Sequence, residues 1–232
     1  MIGILNKNWL ITAWLDSPLC GEPPELDAIL EWELTNRLKP QHAGTLDIWT
    51  QRKDIPQNLP LPVASKTFGR HKVYCCSSPI LPKPQIPEWV DNCSKRFESS
   101  KMSVMISPEY RKSLLVASGP YKSRFIPERI RNVDCVCWFV RGNRYELNKL
   151  LKSIHSLGRR RNVGYGSVWK WEFEEQEDDY SIFAPCNGKT VLMRVLPADA
   201  DLDNVCGYRK SFGGYKPPYF HPAFHTDIVV PC

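Results

Sequence analysis

The pattern of hydrophobic and polar positions predicts a buried strand near the start of the chain. Every residue from Trp9 to Leu15 is apolar except Thr12, which is typical of a strand covered on both faces. The run 25–38, which follows Pro24, carries apolar residues at intervals of three and four, as one face of a helix does. A strand followed by a helix is therefore the first predicted unit.

A second strand and helix are predicted in the middle of the chain. The run DCVCWFV, from Asp134 to Val140, is short and strongly apolar, so we expect a central strand. The run 144–156 has helical spacing and should continue to about Leu157, because Gly158 offers the left-handed residue that commonly ends a helix. From Val168 to Phe173 aromatic residues occupy alternate positions, which predicts a further strand.

Between these two units the sequence predicts a loop and short strands. The run 39–62 is rich in Pro, Gln, Asn and Asp, whereas 61–65 and 72–77 are typical of short strands on either side of a turn at Gly69. The predicted order is strand, helix, strands, strand, helix, strand. This order belongs to the α+β class and matches the ferredoxin-like βαββαβ arrangement, which is also that of the RNA-recognition motif.

A proline-dense connector at 79–87 divides the chain, because proline cannot continue a regular element. It predicts the start of an inserted lobe, 88–131, in which Trp89, Cys93 and Phe97 recur every fourth residue, as on one face of a helix. The predicted domains are a ferredoxin-like domain in two parts, 1–87 and 132–195, the inserted thumb-like lobe 88–131, and a C-terminal extension, 196–232, that packs on the domain or on a neighbouring subunit.

The positive charge of the chain is concentrated in this lobe. The net charge is +6, and the segment from Cys93 to Arg131 holds nine Lys or Arg against three Asp or Glu, which equals the whole excess. Such clustering predicts a surface that binds a polyanion, although a solvated basic face without a ligand is the alternative. The candidate binding residues of the lobe are Lys95, Arg96, Lys101, Arg111, Lys112, Lys122 and Arg124.

Composition excludes several classes of protein. The chain has 232 residues, of which 42% are hydrophobic, so it can bury a core. Asn6, Lys7, Asn8 and Asp16 interrupt the N-terminal apolar residues, which argues against a signal peptide or a membrane span and favours the cytoplasm. The nine cysteines form no C-x-x-C pair. We therefore expect no metal site and a reducing compartment.

The densest group of candidate binding residues lies between the second helix and the strand that follows it. Three consecutive arginines stand between glycines. Glycine lets the backbone approach a ligand closely, guanidinium groups bind phosphate oxygens in pairs, and a tyrosine ring can stack on a base. A surface turn with solvated arginines is the alternative. The candidate residues of the loop are Gly158, Arg159, Arg160, Arg161, Gly164, Tyr165 and Gly166.

This loop, of the form G-basic-basic-basic-x-x-G-Y-G, resembles the glycine-rich loop of the RAMP superfamily, the RNA-binding proteins of CRISPR effector complexes. Three further stretches resemble the type IV subunit that caps the 5′ handle of the CRISPR RNA: SPLCGEPPELDAILEWEL at 17–34, YKSRFIP at 121–127 and GGYKPPYFHP at 213–222. The resemblance implies a non-catalytic subunit that holds this handle and caps the backbone filament in RNA-guided DNA targeting. The implied partners are the CRISPR RNA, the adjoining backbone subunit and the large subunit, with target DNA as a further candidate; no cofactor and no membrane are implied.

Other functions stay open at this point. A metal-independent CRISPR RNA-processing endoribonuclease of the same superfamily needs a base beside a 2′-hydroxyl, and His71 and Tyr165 could serve. The sequence favours a surface role for His71, because no carboxylate lies near it in sequence to orient it. His221 and His225 are four residues apart, but Pro222 prevents the helix that would direct both at a metal. A basic RNA-binding protein outside any CRISPR system is the third hypothesis.

Overall fold

The computed structural model describes residues 6–38, 59–84, 86–95 and 122–232. The described part is mixed α+β, mostly strands with two α-helices, which confirms the predicted class. The helices are α1 (Leu26–Leu38) and α2 (Arg144–Leu151), and short 3-10 helices occupy Arg161–Val163 and Pro222–Phe224. The strands are β1 (Lys7–Leu15), β2 (Leu19–Cys20), β3 (Ser65–Phe68), β4 (His71–Tyr74), β5 (Trp89–Lys95), β6 (Arg124–Arg131), β7 (Cys135–Gly142), β8 (Val168–Gln176), β9 (Phe183–Cys186), β10 (Lys189–Leu192), β11 (Leu196–Pro197), β12 (Val205–Cys206), β13 (Tyr208–Gly214) and β14 (His225–Pro231).

The first sheet has β1 at its centre and the order β7-β1-β8. Both neighbours run antiparallel to β1, with Ile11 opposite Trp138 on one side and Phe173 on the other. The apolar character of β1 follows from this position, because a central strand has side chains covered on both faces. The strands β7 and β8 flank β1 and are joined by α2, as the sequence order predicts.

The outer edge of β7 is paired with an irregular segment. Single antiparallel bridges join Val63 to Gly142, Cys76 to Val140 and Ile80 to Cys137. No fourth regular strand stands at this edge in the described ranges. The ferredoxin-like βαββαβ arrangement therefore stays a prediction.

Both helices contribute apolar faces to the core against this sheet. The prediction of α1 is confirmed, and its Leu26 and Leu30 are fully buried. The helix α2 begins at the N-cap Asn143, whose side chain accepts hydrogen bonds from the Tyr145 and Glu146 amides. It ends at Leu151, so the predicted end near Leu157 is wrong.

The early end of α2 follows from local hydrogen bonds that replace those of a helix. The Ser153 amide donates to the Leu150 carbonyl at 3.4 Å and the Ile154 amide to the Leu151 carbonyl at 2.9 Å, which tightens the last turn. The residues beyond still bury Ile154 and Leu157. The apolar spacing predicted a longer helix because it records only that Ile154 and Leu157 are buried. The structure buries them in a turn that has no helical hydrogen bonds.

A second hydrophobic core lies among the later strands. The sheets β12-β10-β9 and β11-β14-β13, together with the β3–β4 hairpin, surround it. Asn187 and Gly188 connect β9 to β10 with φ angles of 51° and 72°, as is typical of this dipeptide in a hairpin turn. The turn at Gly69 between β3 and β4 is confirmed.

The segment predicted as a helix from Trp89, Cys93 and Phe97 begins as a strand. Its described part, β5, pairs antiparallel with β6 from Trp89 opposite Ile130 to Lys95 opposite Arg124, and β2 continues this sheet. The helix prediction is wrong there, because pairing with β6 outweighs the apolar spacing. Phe97 lies outside the described residues.

A buried network of polar side chains joins the two cores. Arg194, which lies between β10 and β11, is fully buried. Its guanidinium donates to Asp27 of α1 at 2.5 Å, to the Tyr219 hydroxyl at 2.6 Å and to the Cys76 carbonyl at 2.9 Å. Asp27 therefore neutralises a buried cation.

Glu25 lies beside this network, and one of its carboxyl oxygens has no hydrogen-bond partner. Its Oε1 accepts from Ser78 at 3.0 Å, while its buried Oε2 has no hydrogen-bond partner and lies 3.5 Å from Arg194. Burial, and then the charge of Asp27, raise the pKa of this carboxyl to about 7. Between about pH 4.5 and 7, the folded protein thus holds a proton on Glu25 that the unfolded chain has released.

We expect Glu25→Gln to stabilise the protein at pH 8 and to change little at pH 5. The Glu25 carboxyl ionises above about pH 4.5 in the unfolded chain but only above about pH 7 in the folded protein, so wild-type stability falls between these two values by up to about 3 kcal/mol, and the neutral amide avoids this loss. Urea unfolding of both proteins at the two pH values measures it. Glu175→Gln, at an exposed ion pair with Lys7, is the control; a stability difference that does not grow with pH contradicts the assignment.

Candidate nucleic-acid interface

The backbone of the loop 158–166 makes a compact turn between α2 and β8. Gly158, Arg160, Gly164 and Gly166 have φ angles of 74°, 53°, 95° and 63°, and three of these four are glycines, which adopt such angles without strain. The Leu157 amide donates to the Gly166 carbonyl at 2.8 Å, which closes the base of the loop. The loop is therefore a defined structure and not an extended tail.

Backbone hydrogen bonds fix the loop onto the segment around β2. The Arg159 amide donates to the Cys20 carbonyl at 2.8 Å, and the Gly166 amide donates to the Pro18 carbonyl at 2.8 Å. A Cβ on Gly158 would lie 2.6 Å from the Cys20 carbonyl oxygen. The glycines thus allow close backbone packing inside the protein, in addition to any approach of a ligand.

Two of the three arginines are paired with carboxylates of the β5–β6 hairpin. Arg159 Nη1 lies 3.2 Å from Glu128 Oε2, and Arg160 Nη1 lies 3.6 Å from Asp91 Oδ2. Arg160 also contacts the Cys93 sulfur. The Arg159 side chain keeps 68% of its surface exposed and that of Arg160 keeps 31%. Arg160 is therefore only partly exposed, whereas most of the Arg159 side chain is open to solvent.

Tyr165 belongs to the same cluster. Its hydroxyl donates to Asp91 at 3.4 Å, and its ring faces the Arg160 guanidinium with 5.9 Å between the guanidinium carbon and the ring centroid. Burial, and then the Asp91 charge, raise the pKa of this phenol. Tyr165 is therefore a neutral donor at physiological pH, so its ring and its hydroxyl are already engaged within the protein.

Arg161 contacts a tryptophan. Its guanidinium carbon lies 5.1 Å from the centroid of Trp32 on α1, which is a cation–π distance. Trp32 was not among the residues that the sequence indicated, since it reads only as one more residue of a helix. Neither Asp91 nor Glu128 could be found from the sequence, because each lies more than thirty residues before its arginine partner.

The basic lobe is described only at its base. Lys122 and Arg124 are exposed there, and Lys95 lies opposite Arg124 in the strand register. The structure brings these ends of β5 and β6 onto the same hairpin as Asp91 and Glu128, beside the loop. The other candidate cations lie outside the described residues: Arg96, Lys101, Arg111 and Lys112.

One cation of the lobe has a structural role instead. Arg131 is buried and binds Glu88 at 2.6 Å, Glu22 at 2.7 Å and the Gly21 carbonyl at 2.9 Å. It fixes β6 to the segment after β2. The count of basic residues therefore overstates the charge that the lobe can offer to a ligand.

A family model described as CRISPR type IV associated protein Csf3 matches residues 78–231, which is more than half of the chain. The chain belongs to the Csf3 family. The type IV CRISPR resemblance is thereby confirmed, and membership of the RAMP superfamily is consistent with it. No curated protein matches the chain. In the described ranges, neither helix has the length and apolarity that crossing a bilayer requires.

The Csf3 match covers the loop, the β5–β6 hairpin and Arg194, but not α1. The paired arginines and their carboxylates therefore all lie inside the matched part, whereas Trp32 and Asp27 lie before it. The family match identifies the chain as a type IV CRISPR-associated subunit. RNA contacts of the loop and of the lobe stay predictions.

His71 of this Csf3-family chain has a carboxylate partner that the sequence did not indicate. Its Nε2 lies 3.5 Å from Asp199 Oδ2, and its ring makes an edge contact with Tyr215 at 4.8 Å between centroids. Its side chain is largely buried. The expected surface position is therefore wrong, because residues around β11 fold over the β3–β4 turn.

The two C-terminal histidines have separate protein partners. His221 accepts a hydrogen bond from the Ala223 amide at 3.2 Å, and His225 Nε2 lies 2.8 Å from the Tyr219 carbonyl. Among the residues that the structure describes, no group of three His, Cys, Asp or Glu could hold a metal ion.

The two glycines at the end of the loop should respond differently to alanine. A Cβ on Gly166 would overlap the Leu157 carbonyl oxygen, whereas one on Gly164 would meet nothing within 4 Å. Gly164→Ala should cost about 1–2 kcal/mol, since only the left-handed φ is unfavourable. Gly166→Ala should cost more than about 3 kcal/mol, because backbone must move.

Urea unfolding of both variants measures this difference, and Gly164→Ala is the matched control for the positive φ. Equal losses of unfolding free energy would show that the Leu157 contact does not constrain the loop.

Proposed function

We propose that this Csf3-family protein is a non-catalytic RNA-binding subunit of a type IV CRISPR effector complex that holds the 5′ handle of the CRISPR RNA and caps the backbone filament. The observation that carries the proposal is the loop 158–166, in which three consecutive arginines stand on a backbone fixed by hydrogen bonds to β2. A cation cluster on a rigid support binds phosphates with little loss of conformational freedom.

The fold supports this proposal. A β7-β1-β8 sheet with α2 between β7 and β8 is what three strands of a ferredoxin-like domain would give. We propose that the protein has this core, with an irregular edge strand at 63–80, and that the loop after α2 is its RNA-binding element. The lobe would add phosphate contacts through Lys95, Lys122, Arg124 and the basic residues between them.

The carboxylates of the hairpin define how binding would proceed. Glu128 and Asp91 hold anionic oxygens against Arg159 and Arg160, and phosphate oxygens would take the same positions. On RNA binding, Arg159 and Arg160 would thus exchange carboxylate partners for phosphate partners. These two arginines therefore contribute less net affinity than isolated cations would. The Arg161 guanidinium faces the Trp32 ring and forms no ion pair with a carboxylate of the described residues, so RNA would have none to displace there.

We propose the partners that the resemblance to the handle-capping subunit implies. They are the CRISPR RNA handle, the adjoining backbone subunit and the large subunit, with target DNA as a further candidate, in the cytoplasm. The endoribonuclease alternative gains one observation, the pairing of His71 with Asp199, since a carboxylate can orient a histidine base. His71 is on the β3–β4 hairpin by the second core, whereas the arginine loop leads into β8 of the first sheet.

Replacing Arg159, Arg160 and Arg161 together by Ala should abolish tight binding of the handle RNA. Each charge-assisted contact is worth about 1.5–3 kcal/mol before overlap between them, and the single Arg161→Ala change should cost more affinity than Arg159→Ala. Incubation of the pure protein with labelled repeat RNA in EDTA measures affinity and metal-independent cleavage together. A folded triple variant that binds as tightly as wild type contradicts the proposal; cleavage lost on His71→Ala without loss of affinity would replace it by the endoribonuclease.

Neutralising the two hairpin carboxylates should strengthen RNA binding. In the Asp91→Asn, Glu128→Gln variant the arginines lose partners worth roughly 0.2–1 kcal/mol each, so RNA no longer has to displace them. The dissociation constant should fall by about two- to thirtyfold. The experiment is a titration of the same labelled RNA at fixed salt.

The control for this variant is Glu175→Gln, which removes one charge from an exposed ion pair at the far end of β8. A general effect of net charge would strengthen RNA binding in the Glu175→Gln variant as well as in the hairpin variant. Weaker binding of the hairpin variant would mean that the carboxylates hold the arginines in their binding positions.

A further inference from the structure

A small cleft lies directly beside the arginine loop. Its volume is about 170 Å³, and it separates α1 from the segment that leads into the loop. Its walls are mostly apolar, and the side chains that matter most are Ile29 and Trp32 of α1, Ile154 and Leu157 opposite them, and Arg161. The cleft therefore combines a hydrophobic interior with one cation.

Trp32 is an unusual component of such a wall. It is 47% exposed although Ile29 and Leu30 on the same helix are buried. The Arg161 guanidinium faces its exposed ring, with 5.1 Å between the guanidinium carbon and the ring centroid. An exposed tryptophan ring next to guanidinium groups is the combination with which proteins bind an unstacked base, the ring for stacking and the cation for the adjacent phosphate.

We propose that this cleft holds one unstacked nucleobase of the bound RNA, stacked against Trp32, with Arg161 on the neighbouring phosphate. The inference rests on the proposed function and adds a specific subsite to it. Arg161 directly follows Arg159 and Arg160, so a strand whose phosphates lie on the first two arginines brings its next nucleotide to the cleft. The guanidinium would shift from the ring to the phosphate as the base enters.

The chemistry of the walls also predicts that the cleft does not recognise the identity of the base. Ser156 is the one polar uncharged side chain lining it among the described residues, so few hydrogen bonds to a base edge are available. Stacking accepts every base, because each has a flat π face. The site should therefore require a base at one position of the RNA without strongly selecting its identity.

Single abasic nucleotides test this directly. Labelled repeat RNAs, each with one abasic position along the 5′ handle, are titrated against wild type, Trp32→Ala and Trp32→Phe. In wild type one position should weaken binding about tenfold. That loss should disappear in Trp32→Ala, which already binds intact RNA about tenfold more weakly, and should persist in Trp32→Phe. Replacing the base at that position by another should change affinity only a few-fold.

Two controls separate this inference from the proposed function. Phe212→Ala truncates another exposed aromatic side chain, on β13, and should leave the whole abasic profile unchanged. If the triple arginine variant loses RNA while no abasic position depends on Trp32, the subsite is disproved and the proposed function stands. If wild type does not bind the handle RNA, both fall. If Trp32→Ala impairs only assembly with other subunits, Trp32 belongs to a protein interface and the subsite is also disproved.

Discussion

The burial of the Arg194 guanidinium is the interaction on which the arrangement of the two cores depends. A buried cation requires compensation, and here Asp27 from α1, the Tyr219 hydroxyl and the Cys76 carbonyl supply it. These groups come from distant parts of the chain. Because none of them can be removed without leaving another buried polar atom unpaired, the first sheet with its helices and the later strands are held in one relative position.

That fixed framework determines how the arginine loop is presented. The loop bonds through its backbone to the segment around β2, which the β5–β6 hairpin also contacts, since Arg131 donates to the Gly21 carbonyl. Arg159 and Arg160 meet carboxylates of the hairpin, and Arg161 meets Trp32 of α1. Three consecutive residues of one chemical type thus have three different surroundings, and their contributions to binding an anion need not be equal.

Several local features were predictable because neighbouring residues create them. The strand β1, the helix α1, the turn at Asn187 and the positive φ angles of the loop glycines all follow from short-range patterns. The errors have a local origin too. Apolar spacing extended α2 past Leu151 and suggested a helix at Trp89, but spacing cannot register the turn hydrogen bonds after Leu150 or the pairing of β5 with β6.

The sequence by itself determined the α+β class, the loop and its basic character, and the resemblance to type IV CRISPR proteins, since each is carried by residues close together in the chain. Only the tertiary structure decided which arginines are paired, that Asp199 stands beside His71, that Arg131 is structural, and that Trp32 borders a cleft next to Arg161. Each of these depends on contacts between residues far apart in sequence. Such contacts arise from packing and charge compensation over the whole fold, and no local pattern records them.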